Sequence, residues 1–290
     1  MSKSNLKRLM VRCSLGVLAI AIVLGKPAPG NSQDTKSVGA ASHGVIWADN
    51  GTHETDGLTA VFAYDNFRDV LGLTLNGNAI DGDALLLSNP AEWQIGSVWY
   101  NNQVDVADGF VTNFTFKIKP SIGSATTADG MAFVIQNDGL TTLGPNEGQP
   151  GYDTIPDSLA VEFDTFLNGH DSDPNNNHIG VQSCGQGPNT LDHGTKCNLD
   201  LQPNLPIVLT DGNPHQVTIS YIPNPTGLRG ILTVAVDKQV VLTSMVNLSK
   251  LLSLNGNDAW VGFTAGSGEY WESPGLLSWT YSNFGTAAAK

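Results

Sequence analysis

The chain has 290 residues, and 40% of them are apolar, which is enough to bury a hydrophobic core and argues against a wholly disordered protein. Asp and Glu outnumber Lys and Arg by 27 to 14, so the net charge is −13. This charge argues against partners that carry phosphate, such as nucleic acids or anionic lipids, and favours bound cations.

The N-terminus has the layout of a secretory signal peptide over residues 1–30. A basic start that includes Lys3 precedes an apolar run from Leu15 to Gly25, and small residues follow. The run of 11 residues is shorter than the ~20 apolar residues that a membrane span needs. We expect cleavage, with an uncleaved anchor as the alternative, and a flexible leader over residues 31–45. The location predicted is secreted, either extracellular or periplasmic.

Short β-type segments bounded by Gly, Pro, Asn and Asp fill the rest of the chain. Residues 110–119 alternate most clearly, with Phe114, Phe116 and Ile118 on one face. The predicted strands are 71–75, 84–88, 97–100, 110–119, 131–137, 159–166, 178–182, 215–222, a hairpin over 231–244 that turns at Asp237-Lys238, 258–265 and 276–284, with one helical segment at 245–252. So many strands without alternating helices predict an all-β antiparallel β-sandwich, one domain over residues 46–284 with a tail at 285–290.

The segment VEFDTFLNGHDSDPNNNHIG, residues 161–180, combines a buried strand with many metal-binding side chains. Glu162 and Asp164 share one strand face about 7 Å apart, where two anions repel unless a cation or hydrogen bonds compensate. The following loop adds Asn168, Asp171, Asp173 and His178. Oxygen-rich ligand sets suit Ca²⁺, and an added imidazole suits a transition ion such as Mn²⁺. The alternative is a solvated turn without a metal.

Two cysteines remain outside the signal peptide, Cys184 and Cys197. In an exported protein such a pair predicts a disulfide, which would close a 14-residue loop and stabilise the fold by ~3 kcal/mol. A zinc site is the alternative, although a second Cys or His pair at zinc-finger spacing is missing.

The acidic segment resembles the metal-binding segment of the legume-type (L-type) lectins. Three further stretches resemble the same family in the same order: ADGMAFVIQ (128–136), HQVTISY (215–221) and WVGFTAGSGEYWESPGLLSWTYS (260–282). The similarity spans most of residues 60–284. It is nearer to bacterial secreted members, because GYDTIPDSLAVEFDTF runs on without the insertion of the plant type. The resemblance implies a jelly-roll sandwich of the concanavalin-like lectin fold.

The resemblance also implies two adjacent metal sites. A Mn²⁺ ion, or another transition ion, would be held by Glu162, Asp164, Asp173 and His178. A Ca²⁺ ion would be held by Asp164, the backbone carbonyl of Phe166, the Asn168 side chain and Asp173. Asp164 and Asp173 would therefore bridge the two ions.

A shallow sugar site next to the ions is the third implication. In it Asp129, after a cis Ala128–Asp129 bond, accepts hydrogen bonds from two sugar hydroxyls, and Asn168 donates its amide to one of them. Gly151 offers a backbone N–H, and the Phe166 ring stacks on the sugar or else belongs to the core. The loop that begins with Gly266 and Ser267 would set which sugar fits. The ions would hold these groups in place before the sugar arrives, which lowers the ordering cost of binding.

A glycosidase is the main alternative to a lectin, since laminarinase-like enzymes share the jelly roll and place three acids in the pattern ExDxxE. Here Leu167 replaces the third acid, and G-x-S-x-G and P-loop motifs are missing. The expectation is a non-catalytic lectin. Its partners would be glycans or glycoconjugates, without nucleic acid or membrane insertion after signal cleavage, and a homodimer is the candidate assembly. A third hypothesis is an adhesive surface protein without sugar binding. The presence of both Asp129 and Asn168 argues against it.

Overall fold

A computed structural model describes residues 57–284, except for residues 122, 124–125 and 146–147. The predicted signal peptide, leader and tail lie outside the described residues. Within them, no helix is long and apolar enough to cross a membrane. The elements are β1 (Leu58–Tyr64), β2 (Leu73–Gly77), β3 (Leu85–Leu86), β4 (Ile95–Tyr100), β5 (Val104–Asp105), β6 (Phe110–Pro120), β7 (Gly130–Gln136), β8 (Ser158–Asp164), β9 (His178–Gln182), β10 (Asn198–Gln202), β11 (His215–Ile222), β12 (Gly230–Val236), β13 (Gln239–Val246), α1 (Leu248–Leu251), β14 (Asp258–Gly266) and β15 (Glu272–Phe284).

The strands form two sheets, and the all-β antiparallel sandwich predicted from the sequence is confirmed. A seven-stranded sheet has the order β1-β15-β6-β11-β12-β13, with β3 beside β15. An eight-stranded sheet has the order β10-β9-β8-β7-β14-β4-β2, with β5 beside β14. The acidic strand β8 therefore lies inside the second sheet, between β7 and β9.

The core lies between the sheets. It is built from the residues of each strand that point inward, which alternate with residues that point outward. Phe114 and Phe116 of β6 are buried there as their alternation predicted, with Phe133 and Phe263 from the opposite sheet. The rings of Phe114 and Phe263 meet edge to face with centroids 4.8 Å apart. Each such ring stabilises the sandwich by roughly 1.5–3 kcal/mol through burial.

A second, smaller apolar cluster covers the outer face of the eight-stranded sheet. Trp99, Val134 and Ala160 supply the sheet side of this cluster, and the loop residues Tyr152 and Leu191 pack onto them. Leu191 belongs to the loop between β9 and β10, which the predicted disulfide Cys184–Cys197 closes. Loops are thereby held against the sheet face that carries Glu162.

The hairpin and the helix test two local predictions. Asp237 and Lys238 join β12 to β13 with positive φ angles of 47° and 66°. Two-residue turns with positive φ match the twist of the paired strands, and the predicted hairpin is confirmed. The helix predicted over 245–252 is wrong in extent, since it covers only Leu248–Leu251. Met245 instead pairs with β12, because strand pairing outweighs a short amphipathic pattern.

Candidate functional site

Strand β8 presents two acids on the sheet face that points away from the main core. Val161 and Phe163 enter the core, so their neighbours Glu162 and Asp164 take the opposite face, as the period of two predicts. Both acids are buried. The hydroxyl of Tyr152 donates a hydrogen bond to Oε2 of Glu162, which holds one carboxylate oxygen in place.

The loop after β8 folds back so that its polar groups approach the same acids. The N–H of Phe166 donates to Oδ1 of Asp164 at 2.8 Å, and the N–H of Asn168 donates to Oδ2 of Asp173 at 2.6 Å. The side chain of Asp173 is only 3% exposed. These bonds leave one oxygen of each carboxylate for another partner.

His178 begins β9 directly opposite Asp164. Its Nδ1 lies 2.9 Å from the carbonyl oxygen of Asn175, which can only accept a hydrogen bond, so Nδ1 carries the hydrogen. Nε2 is then an unprotonated nitrogen that faces the acids, 4.0 Å from Oδ1 of Asp173. This tautomer is the one that a metal-binding imidazole requires.

A second imidazole, which sequence reasoning missed, lies in the same cluster. Nε2 of His193 is 2.9 Å from Oε1 of Glu162 and 3.1 Å from Nε2 of His178. His193 comes from the disulfide loop, and its only signal in the sequence is its position between the two paired cysteines. Two groups of possible ligand atoms result, and within each group the atoms lie within 4.8 Å of one another. The first group has one atom each from Glu162, His178 and His193, and the second has one each from Asp164, Asp173 and His178.

The carboxylates of this cluster place several acidic groups in a buried environment, where a bound cation would balance their negative charge. Burial, with the nearby Glu162 and Asp173 carboxylates, raises the pKa of Asp164 well above its usual range. Burial also raises the pKa of Asp173 to about 6 and lowers the pKa of His178. Among the described residues, the basic partners of these carboxylates are imidazoles rather than Lys or Arg. Buried carboxylate oxygens beside the unprotonated Nε2 of His178 form a donor set that fits divalent metal ions.

Asp129 immediately precedes β7 and lies next to this cluster of carboxylates and imidazoles. The Ala128–Asp129 peptide bond is cis, as the family resemblance implied. Asp129 is buried, and its Oδ2 has no hydrogen-bond partner among the described residues. Burial raises the pKa of Asp129 to about 7, although a hydrogen bond from the Gly268 N–H opposes this shift. A buried acceptor without a donor is unfavourable unless a ligand supplies one.

An aromatic-lined cavity of about 170 Å³ opens beside Asp129. The Phe166 and Tyr270 rings stack with centroids 5.8 Å apart. Trp93 and Tyr270 are 49% and 43% exposed and also line the cavity, together with Asn168. Trp93 and Tyr270 were missed from the sequence, because an exposed aromatic residue in a loop carries no periodic signal.

Ser267, Gly266 and Gly151, which the resemblance placed in the sugar site, do not line this cavity. Ser267 is buried, and its hydroxyl donates to the carbonyl of Ala91 at 2.8 Å and accepts from the Gln94 N–H at 3.0 Å, so it faces inward. Gly266 accepts the Asp129 N–H at 3.2 Å through its carbonyl. Gly151 packs against Ala265 and is not among the residues that line the cavity.

Gly148 and Gly268, in two neighbouring loops, lie beside Asp129. Their Cα atoms approach so closely that a Cβ on either would lie 3.0 Å from the other, and within 3.7 Å of Oδ2 of Asp129. The structure thus brings together Asp129, Phe166 and Asn168 at the cavity, and the four predicted transition-metal ligands beside it. The roles proposed for Gly151, Gly266 and Ser267 stay predictions.

Comparison with known proteins identifies one family. The model of the legume lectin β-barrel domain matches residues 56–274. The L-type lectin-domain containing receptor kinase V.9 of Arabidopsis thaliana is 29% identical over 236 residues, 70% of this chain and 32% of the relative. The seed lectin of Styphnolobium japonicum is 29% identical over 198 residues, 64% of this chain and 60% of the relative. The chain therefore spans less than two thirds of either relative.

Solved structures agree on the fold. The crystal structure of basic winged bean lectin with Tn-antigen aligns with a TM-score of 0.60 at 24% identity, and the alignment covers 78% of this chain and 98% of that one. At this identity the similarity concerns the fold alone.

Proposed function

Because the chain belongs to the family of legume lectin-type domains, we propose that it is a lectin that binds carbohydrate in the cavity beside Asp129. The observation that carries the proposal is Oδ2 of Asp129, which is buried, lies at the cavity and has no partner among the described residues. Lectins bind carbohydrate without altering it, so membership of this family supports a binding protein rather than a glycosidase.

A sugar would satisfy this cavity with its hydroxyls and its apolar ring face. Asp129 accepts hydrogen bonds from two hydroxyls, and Asn168 donates its amide to one of them. The Phe166 ring, stacked on Tyr270, supports the apolar face of the sugar. The family resemblance adds a backbone N–H from Gly151 and a specificity role for the loop with Gly266 and Ser267. These roles are proposed from the resemblance alone, because Gly151 does not line the cavity and the Ser267 hydroxyl faces inward.

Two cations are part of this proposal, because three buried carboxylates need their charge balanced. Glu162, Asp164, Asp173 and His178 would hold a transition ion, for which the family resemblance suggests Mn²⁺. Asp164, Asp173, the Asn168 side chain and the Phe166 carbonyl would hold Ca²⁺. The bound ions would supply positive charge that fixes the loop after β8, and with it Phe166 and Asn168, before the sugar arrives.

The setting of the protein is also a proposal. A secreted protein of the bacterial type, outside the cell or in the periplasm, accounts for the predicted signal peptide, the disulfide and the acidic surface. A homodimer remains the candidate assembly.

A glycan array tests the function. The protein, supplied with Ca²⁺ and Mn²⁺, should bind at least one class of glycan, and Asp129→Ala should lose this binding while its circular dichroism spectrum stays unchanged. Asp108→Ala, at an exposed position outside the cavity, is the control and should bind as the wild type does. Full affinity in Asp129→Ala would refute the site, and a wild type that binds no glycan would favour an adhesive protein without sugar binding.

A further inference from the structure

We propose that His193 is an additional protein ligand of the transition ion held by Glu162 and His178, so that this ion binds two imidazoles. A site of this composition favours Zn²⁺, Co²⁺ or Ni²⁺ over Mn²⁺, because imidazole nitrogen suits these ions and Mn²⁺ prefers oxygen. The inference rests on the metal site of the proposed function.

Distances between ligand atoms carry the inference. Nε2 of His193 lies 2.9 Å from Oε1 of Glu162, 3.1 Å from Nε2 of His178 and 3.6 Å from Oδ1 of Asp173. With metal–ligand bonds of about 2.1 Å, neighbouring ligands lie about 3.0 Å apart in an octahedron and about 3.4 Å apart in a tetrahedron. The first two separations match the octahedral value and also have hydrogen-bond length, and the third is slightly longer than the tetrahedral value, so the three atoms are close enough to bind one metal ion with small adjustments.

The disulfide loop holds His193 in this position. Its side chain is 2% exposed, and its backbone N–H donates to the carbonyl of Asp171 at 2.8 Å. The amide of Asn198 donates to the carbonyl of His193 at 3.1 Å. The Cys184–Cys197 bond closes the loop, and Leu191 anchors it in the outer apolar cluster. An imidazole fixed from so many sides has little ordering cost left when it binds a metal.

Gln182 is the partner of the other ring nitrogen. Its Nε2 lies 2.9 Å from Nδ1 of His193 and 3.0 Å from the carbonyl of Leu191, while its Oε1 is buried without a partner among the described residues. Ligation through Nε2 places the hydrogen of His193 on Nδ1, which then needs an acceptor. Rotation of the Gln182 amide brings Oε1 to Nδ1 and gives that oxygen its hydrogen bond, at the cost of the bond to Leu191.

The glycine opposite Glu162 provides the space for this arrangement. A Cβ at Gly180 would overlap Oε1 of Glu162 and lie 2.9 Å from Cε1 of His193. The two side chains therefore converge over a position that has no side chain of its own.

X-ray absorption at the zinc edge tests the inference. The chelated protein is reloaded with Zn²⁺, and the imidazoles on the metal are counted from multiple scattering. We expect two in the wild type, one in His193→Gln and two in the control His170→Gln, whose imidazole is 72% exposed. In competition titrations, His193→Gln should lower the affinity for Zn²⁺ by about 10-fold or more, and the affinity for Mn²⁺ much less.

The outcomes separate the two proposals. One imidazole on zinc in the wild type would overturn the role of His193 and leave the metal site of the proposed function intact. A wild type that binds neither Zn²⁺ nor Mn²⁺ would overturn the metal site itself. Because the wild-type count needs no variant, the test holds even if His193→Gln does not fold.

Discussion

Gly180 lies directly opposite Glu162 in the β8–β9 pair, and a methyl group on its Cα would overlap Oε1 of Glu162. The proposed metal site thus depends on a missing side chain as well as on its candidate ligands. Strand β9 places Gly180 on the same face as His178 and Gln182, between two side chains of the cluster.

Gly180→Ala should weaken transition-metal binding by about 10-fold or more, because the added methyl group displaces the carboxylate of Glu162. Equilibrium dialysis with Zn²⁺ or Mn²⁺ measures the change. Gly187→Ala is the matched control, since a Cβ there meets only ordinary contact at 3.6 Å. Equal metal affinity in the two variants would show that Glu162 does not ligate the ion.

Chelation should lower both stability and sugar binding. Buried Asp164 and Asp173 lose their counter-charge when the ions leave, and a ligand present at 100 times its dissociation constant stabilises the native state by about 2.7 kcal/mol. We therefore expect a lower melting temperature in EDTA and loss of glycan binding, both restored by Ca²⁺ with a transition ion. Unchanged binding after exhaustive dialysis against EDTA would contradict the role of the ions.

Glu272 should make the stability of the protein fall as pH rises. Burial raises its pKa to about 8, from 4.5 in an exposed chain, so between these values the native state keeps a proton that the unfolded state releases. The contribution of Glu272 is therefore fully present below pH 4.5 and is lost between pH 4.5 and pH 8, by up to ~4 kcal/mol. Thr165 donates to Oε1 of Glu272 at 2.8 Å, and this bond survives in Glu272→Gln.

Urea denaturation in EDTA at pH 5, 6.5 and 8 measures this effect. Glu272→Gln should make the decline shallower, with the remaining slope due to Asp129 and Asp173. Glu92→Gln, at an exposed position, should follow the wild type. Parallel pH profiles for the wild type and Glu272→Gln would exclude Glu272 as the source.

Tyr152→Phe should destabilise the metal-free protein by about 1–3 kcal/mol, because Glu162 loses a buried hydrogen-bond donor. Metal affinity should fall as well, by about 10-fold, since the hydroxyl orients the carboxylate. Chemical denaturation and metal titration provide the two measurements. Tyr64→Phe, which removes a hydroxyl bonded to the Leu71 carbonyl at the surface, should change neither by much.

The strands were predictable where apolar residues recur at every second position. The segment 178–182 matches β9 and 215–222 matches β11, because alternation of apolar and polar residues is a local property. Strand β1 was missed, and a bulge between Ala60 and Phe62 interrupts its alternation. Strand β10 was missed as well, although its Leu199 and Leu201 alternate with polar residues.

The sequence by itself determined the all-β class and the family, and it predicted the acidic residues of the proposed metal site. The class follows from alternation within each strand and the family from four stretches in order. The acidic set follows from spacing within one segment, since Glu162, Asp164, Asp173 and His178 fall within 17 consecutive residues. Only the tertiary structure decided which distant groups join them. Loops bring Trp93 and Tyr270 to the cavity and His193 to the proposed metal site. The positions of these loops depend on the order of the strands, on the disulfide and on the packing of the outer apolar cluster. Such long-range contacts leave no periodic pattern in the chain, because they arise from packing between segments rather than within one.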